Sequence, residues 1–292
     1  MTYSTFTLPT APDDQQPFVH CWRGAESPKA VLILAHGMGE HGLRYARFAK
    51  ALVNEGFVVW ANDHRGHGKT VCTPAQLGDY GAGGWKALIA DERALIARAR
   101  EDYPGLPLAI VGHSMGSMVV QHLLTQASGE VDAAALSGTT AVDVMAAAVT
   151  DPDANVFDAM NQAFAPTRTD FDWLSRDEAE VDLYINDPLC GFTVTESSTA
   201  GLAAAGTAFS TPDAMARVRS DLPLYIFAGD KDPVGLNGEL VTLVASRYRD
   251  AGVRDVELKL YRDARHEVLN ETNRDEVTAD FIAWAKKALK LG

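Results

Sequence analysis

Only three cysteines occur in the 292 residues, Cys21, Cys72 and Cys190, an odd number placed far apart. That spacing suggests neither a disulfide framework nor a cysteine-ligated zinc site, and it fits a reducing compartment. There is no run of about 18 apolar residues, and the amino terminus has no basic region followed by an apolar one. The expectation is a cytoplasmic protein without a membrane span or secretion signal. Basic residues are in deficit, 26 Lys and Arg against 39 Asp and Glu, for a formal net charge of −13. Nucleic acid and anionic membranes are thereby excluded as expected partners, since clustered cations hold both. Internal repeats and low-complexity tracts are also missing. What the chain does have is hydrophobic residues, 47% of the total, enough for a sizeable core in one large α/β domain or two small ones.

Taken in order, residues 2–8 and 18–22 alternate as two strands, both read as edge strands, joined by a turn through Pro12, Asp13 and Asp14. Residues 30–35 are a continuous apolar run, as expected of a strand covered on both faces. A helix over 44–55 puts Tyr45, Phe48, Ala49 and Leu52 on one face and ends at Gly56. Strands follow at 57–61, 106–111 and 131–137, with helices at 85–100 and from 117 between them. This alternation predicts a doubly wound, mostly parallel sheet. From 139 to 221 the rhythm gives way to helical spacing with no clear strand, read as an inserted helical cap. Strands at 222–228 and 256–261 and helices at 235–251 and 275–289 then resume the pattern. The expectation is an eight-stranded core built from 1–138 and 222–292, with a cap at 139–221.

Gly112-His113-Ser114-Met115-Gly116 sits between a predicted strand and a predicted helix. In such a turn a serine is held in a strained conformation with its hydroxyl raised above the sheet, and glycines two positions away relieve the crowding. A serine needs a base to take its proton and an acid to orient that base. His266 follows the last strand, at the carboxyl edge where reacting groups gather in such sheets. Asp230 and Asp232 both follow the penultimate strand; the turn position of Asp232 favours it, leaving Asp230 to bind backbone N–H groups. Backbone N–H donors for an oxyanion are expected from Met115 and from Met38, which follows His36-Gly37.

The cluster Asp63-His64-Arg65-Gly66-His67-Gly68 lacks the spacing of a helical metal motif, so it reads as a polar network beneath the site. No metal or organic cofactor is implied. His113 reads as a packed, hydrogen-bonded histidine and Cys72 as a small buried hydrophobe. Apolar residues recur through the cap, and Phe157, Met160, Phe164, Trp173 and Phe192 are the candidates to line an entrance to Ser114; the others fix the cap to the core.

Five stretches together resemble the α/β-hydrolase superfamily along nearly the whole chain. They are His36-Gly-Met-Gly-Glu-His41, Asp63-His-Arg-Gly-His-Gly68, Gly112-His-Ser-Met-Gly116, Gly229-Asp-Lys-Asp-Pro233 and Arg265-His-Glu-Val-Leu-Asn-Glu271. Within the superfamily they are similar to the monoacylglycerol lipase and bacterial lysophospholipase-like branch, grouped under the serine aminopeptidase heading. Residues 173–177 and 187–191 resemble the lysophospholipase-like members, and the cap is longer than in compact monoacylglycerol lipases. The resemblance implies Ser114 as nucleophile, Asp232 as acid, His266 as base and Met38 and Met115 as oxyanion donors. The expected activity is carboxylester hydrolysis through an acyl-serine, on a single-chain lipid such as a monoacylglycerol or lysophospholipid. Two rivals remain: an aminopeptidase or amidase that would hold a substrate amine with Glu178, Glu180 or Glu196, and a binding protein with little turnover.

Overall fold

The computed structural model describes residues 1–9, 15–148 and 156–292, and the side chains among them except those of 148 and 156–158. The expected turn at Pro12, Asp13 and Asp14 lies outside the described residues, as does the side chain of Phe157. The strands are β1 (Thr2–Thr7), β2 (Phe18–Arg23), β3 (Ala30–Ala35), β4 (Phe57–Asn62), β5 (Leu108–His113), β6 (Ala133–Ser137), β7 (Leu224–Gly229) and β8 (Val256–Tyr261). They form one sheet in the order β1-β2-β4-β3-β5-β6-β7-β8. Only β2 runs against the rest, antiparallel to β1 and to β4. Contrary to the sequence reading, β2 is therefore an interior strand. His20 and Cys21 made its short run look polar, but both are buried, and the His20 ring nitrogens are satisfied by Tyr3 Oη at 2.7 Å and Asp63 Oδ1 at 3.1 Å.

Every residue of β3, β4, β5 and β7 is buried, which is why these segments read as unbroken apolar runs. Alternate residues divide between two cores. Val31 and Ile33 pack beneath α2 (Gly84–Asp102), α3 (Met115–Ala127) and α9 (Glu239–Asp250). Leu32 and Leu34 face α1 (Ala46–Asn54) and α10 (Arg274–Ala288). Phe48, Phe57, Phe227 and Phe281 sit in the second core, and removing such a ring costs about 3–5 kcal/mol.

Between β6 and β7 the described residues hold helices and no strand. These are α4 (Val142–Ala148), α5 (Val156–Gln162), α6 (Glu178–Ile185), α7 (Glu196–Phe209) and α8 (Pro212–Met215). Asp177, Thr195 and Thr211 accept the first N–H groups of α6, α7 and α8, satisfying donors that a helix start leaves open. α7 lies against α2, α3 and α4. The segment is also stitched to the loop after β8: His266 N–H donates to Trp173 O and Glu267 N–H to Leu174 O, while Arg176 pairs with Glu271. Cys72 is exposed rather than buried, because residues 71–77 form surface turns instead of packing under the sheet. Among the described residues no helix is long and apolar enough to cross a membrane.

Candidate active site

Ser114 stands between the last residue of β5 and the first of α3, with φ 50° and ψ −120°. A non-glycine residue held there stores about 1–3 kcal/mol. Its neighbours show why the turn must be so tight. A Cβ on Gly112 would lie 2.2 Å from Gly116 O, and one on Gly116 only 2.0 Å from Ala35 O, so both positions exclude a side chain. Ser114 N–H is anchored on Ser137 O of β6 at 2.9 Å.

Asp232 and His266 arrive from the carboxyl ends of β7 and β8. Nδ1 of His266 lies 2.9 Å from both Asp232 carboxylate oxygens. That fixes Nδ1 as the protonated nitrogen and leaves Nε2 free to accept a proton. Both side chains are buried, at 2% and 0% exposure. The turn also holds Asp232 in place, since Val234 N–H donates to its Oδ1 at 2.9 Å. Burial alone would lower the His266 pKa; the Asp232 charge and hydrogen bond, with Glu267 and Glu40 behind them, outweigh it and leave the value raised. Gly138, at φ +54°, makes room for the imidazole: a Cβ there would meet His266 Cε1 at 3.1 Å and His113 Cε1 at 3.0 Å. Asp230 instead accepts the Asp263 N–H at 2.7 Å, a backbone bond across to the β8 loop.

The loop after β3 runs beside the serine, for a Cβ on Gly37 would come within 3.3 Å of Ser114 Cβ. Met38 N–H has no acceptor among the described residues, and Met115 N–H, at the first position of α3, has none within the helix. Sequence reasoning missed what shapes this loop. Glu40 Oε1 accepts Gly37 N–H at 2.6 Å and Tyr45 O–H at 2.7 Å. Glu40 Oε2 accepts Arg44 Nη1 at 2.6 Å, and Arg44 also grips Glu267, next to His266. Glu40 and Glu267 stand in the motif stretches and Arg44 at the start of the helix read over 44–55; that they meet is not visible in sequence.

The cluster around residues 63–67 serves as the expected polar network. Asp63 takes N–H groups from Gly42 and Lys69, His64 Nε2 bonds His36 O at 3.1 Å, and Arg65 pairs with Asp91. His67 Nε2 accepts Gly39 N–H while Nδ1 bonds Arg65 O, so its lone pair is spent on the protein, and burial pushes its pKa down to about 3. His113 is packed as expected, with Nδ1 3.2 Å from Ser137 Oγ and its ring 4.8 Å from that of His266.

Of the apolar candidates, Met160, Phe164 and Trp173 gather in one cluster with Leu174, Tyr184 and Val234. Trp173 brings that cluster to the base, its ring 5.0 Å from the His266 ring. Phe192 is not part of it and packs on His67 at 5.0 Å. A second apolar cluster, unforeseen, joins Met38 and Met115 to Met118, Val142, Val194, Leu202 and Ala205. The periodicity of α7 did not announce which of its neighbours it would cover. Two surface cavities, of about 380 and 420 Å³, contain none of Ser114, Asp232 and His266.

A model of the family described as serine aminopeptidase, S33, matches residues 26–273. The monoacylglycerol lipase of Mycolicibacterium smegmatis is 33% identical over 273 residues, covering 90% of each chain. The monoglyceride lipase of Mus musculus is 29% identical over 269 residues, 87% of this chain and 80% of its own. Among solved structures, a highly thermostable carboxyl esterase from Bacillus coagulans in complex with glycerol superposes with a TM-score of 0.87 at 27% identity, over 99% of each chain.

Proposed function

Because the chain belongs to the serine aminopeptidase S33 family of hydrolases, we propose that it cleaves monoacylglycerol-type lipid esters with Ser114, His266 and Asp232 as its triad. The chain is a serine ester hydrolase. The observation that carries the triad is the Asp232 carboxylate on Nδ1 of His266 beside a serine held at φ 50°. His266 Nε2 takes the Ser114 proton as Oγ attacks the ester carbonyl, and Asp232 stabilises the imidazolium that results. Met38 and Met115 N–H groups stabilise the oxyanion. His266 then gives the proton to the departing glycerol oxygen. Water, deprotonated by the same nitrogen, releases the fatty acid from the acyl-serine.

The substrate class is supported by the relatives named monoacylglycerol and monoglyceride lipase and by the glycerol bound to the esterase neighbour. It also agrees with the distribution of polarity. Apolar clusters reach the oxyanion methionines and the His266 ring, whereas Glu40, Arg44 and His113 supply polar groups nearby. An aminopeptidase would need a carboxylate for the substrate amine. Glu180 is held by Arg47, and Glu178 and Glu196 are exposed to solvent, where a carboxylate attracts an amine only weakly. Cys21, Cys72 and Cys190 are all free thiols, in keeping with a cytoplasmic location.

Hydrolysis of 1-monooleoylglycerol, its di- and triacyl counterparts and an aminoacyl-anilide, with fluorophosphonate labelling of Ser114, tests the reading. Monoacylglycerol should be turned over fastest. Faster release of the anilide would install the peptidase reading, and slow labelling would install a binding protein.

A further inference from the structure

His41, Asp187 and Cys190 meet at a place the proposed hydrolysis does not use. His41 precedes the turn Gly42–Tyr45, and its Nε2 lies 2.9 Å from Asp187 Oδ2. Asp187 and Cys190 share one tight turn, closed by Cys190 N–H donating to Asp187 O at 3.0 Å. Leu189 N–H occupies the other carboxylate oxygen, Oδ1, which aims Oδ2 at the imidazole. The turn is pinned beside the 36–42 loop, where Gly191 N–H and Tyr184 O–H both donate to Gly39 O, at 3.0 and 2.9 Å. One nitrogen, one oxygen and one sulfur donor therefore lie within 4.8 Å of one another. Their segments are 146 residues apart in the chain, so no motif spacing announces them.

A tetrahedral ion holding N, O and S ligands at about 2.0–2.3 Å spaces them about 3.3–3.6 Å apart. To admit it the closest pair, at 2.9 Å, has to part by about 0.5 Å and a pair as far apart as 4.8 Å has to close by about 1.2 Å, which side-chain torsions of the partly exposed Asp187 and Cys190 supply. Imidazole, carboxylate and thiolate together suit a borderline-soft divalent ion such as Zn²⁺, whereas Ca²⁺ and Mg²⁺ require oxygen ligands. His41 is buried and holds a fixed position; Asp187 and Cys190 are partly exposed, so an ion can enter from solvent and keep water as a fourth ligand.

We propose that His41, Asp187 and Cys190 form a zinc-class metal site that clamps the 187–190 turn to the loop beside Ser114. Binding replaces the Cys190 S–H bond with a sulfur–metal bond and releases that proton to water. In the metal-free chain His41 Nε2–H donates to Asp187 Oδ2; binding shifts that ring proton to Nδ1 and gives the Nε2 lone pair to the ion. Since the ligands come from both sides of the contact, the ion stabilises the folded state against separation of the two segments.

The test uses the full chain carrying Cys72→Ala, which removes the other accessible thiol; Cys21 is buried. One equivalent of Co²⁺ should give a near-ultraviolet sulfur-to-cobalt charge-transfer band, and Zn²⁺ in about hundredfold excess over its Kd should raise Tm by about 5 °C. Both signals should vanish with Cys190→Ala and with Asp187→Asn, whose metal-free Tm values report on folding. Cys190→Ser replaces the alanine variant if that fails to fold. Absence of the band and shift in the parent, or their persistence in the Cys190 variants, overturns the site.

Discussion

Arg44 holds Glu267 with both guanidinium nitrogens, Nη1 at 2.6 Å and Nη2 at 2.8 Å, across 223 residues of chain. Nη1 also bonds Glu40, and all three side chains are largely buried. One cation thus ties the loop presenting Met38 to the loop presenting His266. Arg44 keeps Glu267 ionised well below the usual carboxylate range despite burial.

Removing that cation should be costly. Arg44→Met leaves Glu40 and Glu267 buried without a counter-charge, for which about 3–5 kcal/mol is the usual cost, or about 10 °C in Tm. Adding Glu40→Gln and Glu267→Gln to it should recover part of the loss, because no uncompensated charge remains. Urea unfolding of the single and triple variants measures both. A single variant as stable as the parent would mean that water reaches these carboxylates.

The serine is placed against its own conformational preference. Ser114→Ala should lower kcat by about four orders of magnitude, and Ser114→Gly by as much. The glycine variant should nevertheless be the more stable of the two by about 1–2 kcal/mol, since φ 50° costs glycine little. Asp232→Asn should cost about 10⁴ in kcat; Asp230→Asn, which only loses the bond to Asp263 N–H, should leave kcat nearly unchanged. The reverse order for the two aspartates would move the acid to Asp230.

As the proposed base, His266 has to be neutral to act, and its pKa is raised. The acid limb of kcat/KM should therefore have its midpoint above 6.5, the ordinary value for histidine. Activity is lost as pH falls through that midpoint. A midpoint at or below 6.5 would mean that burial, not the Asp232 charge, dominates at the imidazole.

Four other histidines shift the opposite way, and three of them are deeply buried, unlike His122. His36, His67 and His113 have lowered values because burial disfavours their charged forms. The unfolded chain binds protons at these sites below pH 6.5 and the folded one does not, so their stabilisation is complete above 6.5 and is lost as pH falls toward 3. Each contributes a slope of about 1.4 kcal/mol per pH unit in that window. His266, with its raised value, affects stability only above 6.5, where its contribution fades. Urea midpoints at pH 7, 6 and 5 should decline steadily, with uptake of about three protons on unfolding at pH 5. A flat series would show that these imidazoles charge without unfolding the chain.

β3 and β8 span the residues read from the sequence, Ala30–Ala35 and Val256–Tyr261, because an unbroken apolar run in the first and a strict apolar/charged alternation in the second leave few alternatives between turn residues. The elbow was legible for a similar reason: Gly112 and Gly116 are demanded by backbone atoms within 2.2 Å. Other features depend on distant partners. Nothing near His20 tells that Asp63 will satisfy it inside the sheet, and Arg44 gives no local sign of Glu267. The segment 139–221, read as a cap, is least legible, since its apolar residues serve two clusters that a single helical period cannot separate.

On the proposed function an acyl chain would lie along one of those two clusters, past Met38, Met115 and Ala205 or past Trp173 and Met160. The first is favoured, because it begins at Met38 and Met115, the proposed oxyanion donors, where the acyl carbonyl would sit. Each buried methylene is worth about 0.8 kcal/mol, so kcat/KM for 4-nitrophenyl esters should climb about tenfold per two carbons until the route is full, provided the gain is realised in the transition state. Ala205 is only partly buried against the first cluster, so Ala205→Trp should narrow that route with little strain and move the optimum to shorter chains. Met160→Trp should leave it in place. Exchange of those two outcomes would put the chain beside Trp173, and a flat profile from two to sixteen carbons in the parent, measured below micelle-forming concentrations, would leave a small-ester hydrolase in place of a lipase.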